Sequence, residues 1–243
     1  MINKLFKKEQ PIIEFYCRPE YEDVIPKPEL AKKHIPDWFK RVKPYVAGKD
    51  DVNRPGMSAK KCMPLLDAMT LGYVMPLGAD LGVITNHDCS RIEIKNTGSV
   101  KSGEFHNNEQ VGGKTGPGYP ANPIKFINHW FVKTRPGWST LFLPIMNDVE
   151  NTMFTALAGF VDTDTFCREI NFPVLWHERN YDGYVAAGTP IVVAIPIPRE
   201  VIRVKEAPVR KITEQEKIDV EKLSMRQDSA SSIYTNFLRE PRK

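Results

Sequence analysis

The sequence predicts a mainly β fold, a jelly-roll or β-clip-like sandwich with a C-terminal helical appendage. Three observations carry this reading. Twenty prolines and fifteen glycines are spread through 243 residues and leave few uninterrupted stretches for helices before residue 200. The segments between them are short and rich in β-branched and aromatic residues. Beyond residue 200 the pattern changes: Thr213-Glu-Gln-Glu216 has the S/T-x-x-E spacing of a helix N-terminal capping box.

In chain order, the strand segments are PIIEFYC, GYVMPL, LGVIT, RIEIKN, IKFINHWFVK, STLFLPI, EINFPVLW and TPIVVAIPI. Irregular turns between strands of this length suit a sandwich or a partly closed barrel. Glu29–Val42 (ELAKKHIPDWFKRV) is the one early helical stretch, broken at Pro36, with Ile35, Trp38 and Phe39 available to cap one end of a sandwich. Lys49–Lys61 and Thr97–Asn122 read as loops. The second contains GGKTGPGYP, whose glycines serve turn geometry because the phosphate-loop spacing and a following helix are missing. The capping box predicts a helix from Thr213 to about Met225, and a second turn covers Ser231–Leu238. Ile218, Leu223, Ile233, Tyr234 and Phe237 must then pack on the body or on another chain, since an isolated helix is marginal in water. The expected organisation is a β-rich body, 1–204, that includes a proline-rich N-terminal segment, and a helical tail, 205–243.

Bulk properties exclude several classes. The formal charge is only +4, with much of the excess at the ends in Lys4, Lys7, Lys8, Arg239, Arg242 and Lys243, so charge makes no case for nucleic acid. Cys17, Cys62, Cys89 and Cys167 are scattered and form no zinc-ribbon pair. The start MINKLFKKEQ lacks a signal-peptide core, which points to free thiols in a reducing compartment. No apolar run approaches the ~18 residues that would span a bilayer.

Candidate chemistry is sparse. His87-Asp88-x-Ser90 matches no metal motif, and Trp176-His177-Glu178 would need a second histidine such as His129 to build a metal site. Ser139 lacks the GxSxG elbow, and Cys89 shares a face with His87 only if that stretch is extended. Phe126, Trp130, Phe131, Lys133, Arg135 and Trp138 could stack single-stranded bases or fill the core. Trp130 and Phe131 are adjacent, so one ring faces away from the core, as at a protein contact.

GFVDTDTF holds the most suggestive pair. Asp162 and Asp164 share a face if the strand is extended, with Thr163 and Thr165 on the other. Close carboxylates repel unless a cation or donors intervene, and Arg168 with Glu169 could supply an ion pair beside them. In a turn, the aspartates instead accept backbone N–H groups. A structural role, a ligand- or water-binding role and a metal role all remain open.

The run from Ser139 to Pro198 resembles the second half of the trimeric dUTPase family. In that resemblance Pro144 stands at the start of the phosphate motif, Gly159-Phe-Val-Asp162 at the catalytic turn, Phe166 at its aromatic, and Gly188-Thr-Pro-Ile191 at the late glycine motif. It implies a β-clip or jelly-roll-like body in which Asp162 would orient a water. Ile145 and Met146 stand where the family has an arginine and a serine, and such side chains offer a polyphosphate no donors. The resemblance therefore implies shared architecture rather than shared activity. KCMPLLDAMTLGYVMPL, KTRPGWSTLFLPIMN, FVDTDTF and AAGTPIVVAIPIPRE are also similar to a phage and bacterial family known as a domain of unknown function, over most of the chain.

The resulting expectation is a phage-encoded, non-enzymatic protein acting through protein–protein contacts, as a homo-oligomer or a virion structural or assembly component. It would reside in the host cytoplasm or the virion, without membrane, nucleic acid, cofactor, metal or catalytic residues. The alternative is a small-molecule or nucleotide-binding enzyme with a pocket around Asp162 and Asp164, in which Phe166, Trp138 and Asn171 complete the ligand-binding set.

Overall fold

Proline and glycine punctuation divides the chain into many short strands. The computed structural model describes residues 11–46, 56–107, 109, 123–203, 206–227 and 238–240. The elements are β1 (Ile13–Tyr16), β2 (Glu29–Leu30), α1 (Asp37–Arg41), β3 (Tyr45–Val46), β4 (Gly56–Met57), α2 (Met63–Met69), β5 (Tyr73–Pro76), β6 (Leu81–Thr85), β7 (Ile92–Asn96) and β8 (Gly103–Phe105). Then follow β9 (Ile124–Phe126), β10 (Phe131–Thr134), β11 (Trp138–Pro144), β12 (Phe154–Ala156), β13 (Gly159–Val161), β14 (Phe172–Trp176), β15 (Asp182–Val185), β16 (Pro190–Pro198) and α3 (Glu214–Gln227). The chain forms two compact units, Met1–Lys40 with Asp67–Ile202, and Arg41–Leu66 with Arg203–Lys243.

The first unit is a mainly β sandwich. Its sheets run β13-β11-β16-β5-β2, β12-β14-β9-β8 and β15-β6-β7, with β1 and β10 as a separate pair. Every ladder is antiparallel. Side chains from all these sheets meet in one core: Phe142, Val192 and Ala194 from the five-stranded sheet, Phe126, Phe172 and Trp176 from the four-stranded, Leu81, Val83 and Val185 from the three-stranded, and Ile13 and Val132 from the pair. Phe142 and Phe172 join the two larger sheets with ring centroids 5.4 Å apart. Aromatic pairs at this spacing add to the gain from buried area.

Strand β16 explains its own sequence. A run of five buried residues, Ile191–Ile195, replaces the usual alternation because both faces are covered. Val192 and Ala194 join the main core, while Val193 and Ile195 join a smaller cluster with Ala31 and Val74, bordered by Ile145 and Met146. A bulge between Pro190 and Val192 lets Ile191 face the main core as well.

Some segments differ from their sequence expectation. IKFINHWFVK splits into β9 and β10 because the buried Asn128 bends the chain, its Oδ1 accepting the Trp130 N–H at 3.0 Å and its Nδ2 donating to the Trp130 carbonyl at 2.7 Å. Trp130 then enters the core and donates from Nε1 to Pro26 O at 2.9 Å. Phe131 faces outward and stacks on Tyr16 at 4.9 Å. Between Glu29 and Val42 only α1, after Pro36, is helical; β2 and a 3-10 turn precede it. The stretch 97–122, expected to be loop, contains β8, and GGKTGPGYP lies outside the described residues.

The second unit contains the β3–β4 pair, where Lys61 lies over the Tyr45 ring at 5.2 Å, and α3. The capping box forms as expected. Glu216 N–H donates to Thr213 Oγ1 at 3.2 Å, and Thr213 N–H donates back to Glu216 Oε2 at 2.8 Å. Arg210 adds a two-pronged pair to the same carboxylate at 2.7 and 2.6 Å. These contacts hold the Glu216 carboxyl down at about 2, the arginine contributing most. Ile218 and Leu223 remain exposed on α3. Ile233, Tyr234 and Phe237 lie outside the described residues.

Candidate functional site

Arg135-Pro136-Gly137-Trp138 joins β10 to β11 by a tight turn. Proline suits its second position, and Gly137, at φ 81°, supplies the left-handed third position that a type II turn requires. Trp138 N–H closes the turn onto Arg135 O at 3.1 Å. The turn leaves the Gly137 N–H directed at Asp164, whose Oδ2 accepts it at 2.9 Å.

Asp162 and Asp164 do not sit on an extended strand. β13 ends at Val161, and the chain turns so that Thr165 and Phe166 donate their N–H groups to Asp162 O at 3.1 and 2.9 Å. Arg199, at the end of β16, occupies the space between the two carboxylates. Its Nε lies 3.3 Å from Asp162 Oδ1, and its Nη2 pairs closely with Asp164 Oδ1. Ser139 Oγ donates to Asp162 at 2.6 Å and accepts from Arg199 Nε at 3.1 Å. The expected ion pair from Arg168 and Glu169 is not the one beside the aspartates: Glu169 pairs with Arg18 at 3.0 Å.

Beneath the carboxylates lies a line of three buried hydroxyls. Thr163 Oγ1 is 2.9 Å from Thr134 Oγ1 and 2.7 Å from Thr140 Oγ1, and Thr134 donates on to Trp138 O at 2.8 Å. Thr163 thus points inward, as its alternation with the aspartates requires, while Thr165 is exposed and bonds to Asp162 O. Burial acts to raise the Asp164 carboxyl, but the Gly137 N–H and the Arg199 guanidinium outweigh it and hold it below the usual carboxylate range.

This geometry limits the chemistry. Ser139 is fully buried and bonded on both sides, so its hydroxyl cannot reach a substrate. One guanidinium is shared by two carboxylates, so its charge is already engaged within the cluster.

The sequence candidates separate. Asp162, Asp164 and Trp138 meet through Arg199, whose Nη2 also reaches Trp138 O at 3.4 Å. The Trp138 ring carries the Arg135 guanidinium at 4.4 Å. Phe166 is an exposed ring attached to the cluster through its backbone. Asn171 is engaged elsewhere, its Oδ1 accepting the Asn128 N–H at 3.0 Å. Arg199 was missed, although it is the first charge after the apolar run of β16.

The histidines do not converge. His129 faces Lys101 O at 2.8 Å, His177 faces Thr155 at 2.8 Å, and His87 lies on the surface beside Asp88. Among the described residues, no group of three His, Cys, Asp or Glu side chains could hold a metal. No protein-family model and no curated protein matches the chain.

Proposed function

We propose that this chain is a non-enzymatic protein that works through protein–protein contacts, as a phage-encoded virion or assembly component. The observation that carries the reading is the mutual pairing of Asp162, Asp164, Ser139 and Arg199, which makes the most reactive-looking cluster a brace between β11, β13 and β16. An enzyme with a pocket at Asp162 and Asp164 would need these groups free for a ligand.

Outward-facing apolar side chains support the same reading. On the β15-β6-β7 sheet, Tyr184 and Ile84 are 58% and 48% exposed and share a face with Asp182, Glu93 and Lys95. The Tyr184 ring covers Gly82 on the neighbouring strand. On the β1–β10 pair, the Tyr16–Phe131 stack is flanked by Glu14 opposite Lys133. Aromatic rings ringed by charge are the composition of contact surfaces. No helix among the described residues is long and apolar enough to cross a membrane.

Light scattering across a concentration series, with native mass spectrometry, tests the reading. A defined oligomer is expected, weakened in Tyr184→Lys or Tyr16→Lys. A strict monomer that is also missing from purified particles would refute the proposal.

A further inference from the structure

Over the whole chain the formal charge is only +4, but the two units divide it unevenly. The second unit, Arg41–Leu66 with Arg203–Lys243, holds sixteen Lys and Arg against nine Asp and Glu, or +7. The first holds eighteen against twenty-one, or −3. The near-neutral total therefore conceals a small basic unit and a larger, mildly acidic one. Charge segregated in this way attracts a polyanion to the basic part alone.

Part of the excess is organised by the β3–β4 pair. Among the described residues of 41–66 there is no acidic side chain, while Arg41, Lys43, Lys60 and Lys61 are cationic. Ser58 ties this short ribbon together. Its Oγ donates to Lys43 O and accepts the Lys60 N–H at 3.1 Å, and its own N–H donates to Pro44 O at 3.1 Å. The 3-10 turn Ala59–Lys61 then carries Lys61 over the Tyr45 ring at 5.2 Å. Lys43 and Lys61 are exposed. So is the ribbon's apolar surface: Tyr45 is 46% exposed, and Val46 and Met57 are about half exposed. Further along the same unit, Arg203 and Lys211 lie in exposed chain ahead of α3.

An exposed ring set among cations suits a single strand of nucleic acid. Its phosphates meet the lysines, and its unpaired bases offer a π-face whatever their identity. A duplex keeps its bases stacked inside, and an acidic protein segment has none to offer. We infer that the second unit binds single-stranded nucleic acid without sequence preference, with Lys43 and Lys61 against phosphates and Tyr45 against a base. The inference goes beyond the contact role proposed above and does not rest on it.

The test is fluorescence anisotropy of the full chain with a labelled oligo-dT of ~20 nucleotides, repeated from ~50 to ~300 mM salt. The logarithm of the binding constant should fall with the logarithm of salt at a slope of about −2 or steeper, as ~3 neutralised phosphates require. Lys43→Glu with Lys61→Glu, at two exposed positions, should weaken binding at least ~10-fold and make the slope shallower by about 1.4. Lys27→Glu with Lys32→Glu, the same change of charge at exposed positions of the first unit, should leave binding within about twofold at ~150 mM salt. Tyr45→Ala should weaken binding about fivefold or more with the slope kept, and Tyr45→Phe should bind as the native chain does, because the ring and not the hydroxyl stacks. A flat salt response, equal loss in the two charge-reversed variants, or Tyr45→Phe as weak as Tyr45→Ala would each overturn the inference. So would poly-glutamate or a duplex of the same length bound as tightly as oligo-dT.

Discussion

Replacing Arg199 with methionine keeps most of the side chain's length and removes the charge that Asp162 and Asp164 share. Asp164 is the partner that suffers, because its side chain is only 8% exposed whereas Arg199 is 32% exposed and Asp162 is 53% exposed. Breaking a fully buried pair costs ~3–5 kcal/mol, and an exposed one contributes under ~1 kcal/mol. One buried end and one screened end put Arg199→Met between these limits, at about 1.5–3 kcal/mol. The double-mutant cycle with Asp164→Asn should give a coupling of about 1–2 kcal/mol in denaturant unfolding. The pH dependence supplies the sign. In the native chain the Asp164 carboxyl is depressed, so its contribution is complete above the unfolded carboxylate range near ~4 and is lost as pH falls through the lower folded value. Without Arg199 the carboxyl loses two of the influences that oppose burial and its folded value moves upward, so the deficit of Arg199→Met should be largest above pH ~4 and shrink in acid. Single losses that add to within ~0.3 kcal/mol, or a deficit unchanged across that pH range, would refute the clamp.

Thr163→Val keeps the shape of a 1% exposed side chain but removes the hydroxyl that Thr134 and Thr140 share. It should cost about 1–3 kcal/mol in thermal or denaturant unfolding, since buried hydroxyls lose a partner. In the second unit, acidification below about pH 4 should fray the first turn of α3, because Glu216 titrates near 2 when bonded and near ~4.3 when free. Amide shifts of Glu214–Ile218 followed from pH 6 to pH 2 would report this, and Glu216→Gln should lose most of the pH response.

Legibility followed the local physics. PIIEFYC, LGVIT, RIEIKN and STLFLPI announce strands because each carries its own β-branched or aromatic pattern and its own turn punctuation. The α3 start was legible because a capping box is encoded within four residues. α2 was missed because its seven residues, about two turns with Pro64 in the first, are too few to establish a helical period. β12, β13 and β15 were missed because three or four residues are too few for a period of two to stand out in the sequence, although exposure does alternate along β12 and β13. At the site, the aspartates were visible but their partner was not: Arg199 is 35 residues from Asp164 in sequence and meets it only because β16 pairs with β11.

The position of that arginine answers a problem created by β16 itself. A strand buried on both faces has no apolar-polar alternation to set its register, so hydrophobic burial alone distinguishes poorly between neighbouring alignments. Two features at its ends remove the ambiguity. At one end the bulge at Ile191 interrupts the ladder with β5 at a single place. At the other, Arg199 N–H donates to Gly137 O at 2.8 Å while its guanidinium spans Asp162 and Asp164. A slip of one residue would move Arg199 by ~3.3 Å along the strand and turn its side chain to the opposite face. Both carboxylates would then lose their cation together, with Asp164 still shielded from water. The misaligned state is therefore penalised by an unpaired buried charge, a use of ion pairs in which specificity matters more than net stability. That reasoning accounts for two aspartates on one arginine, and for a serine, bonded to Asp162 and Arg199, that is out of reach of solvent.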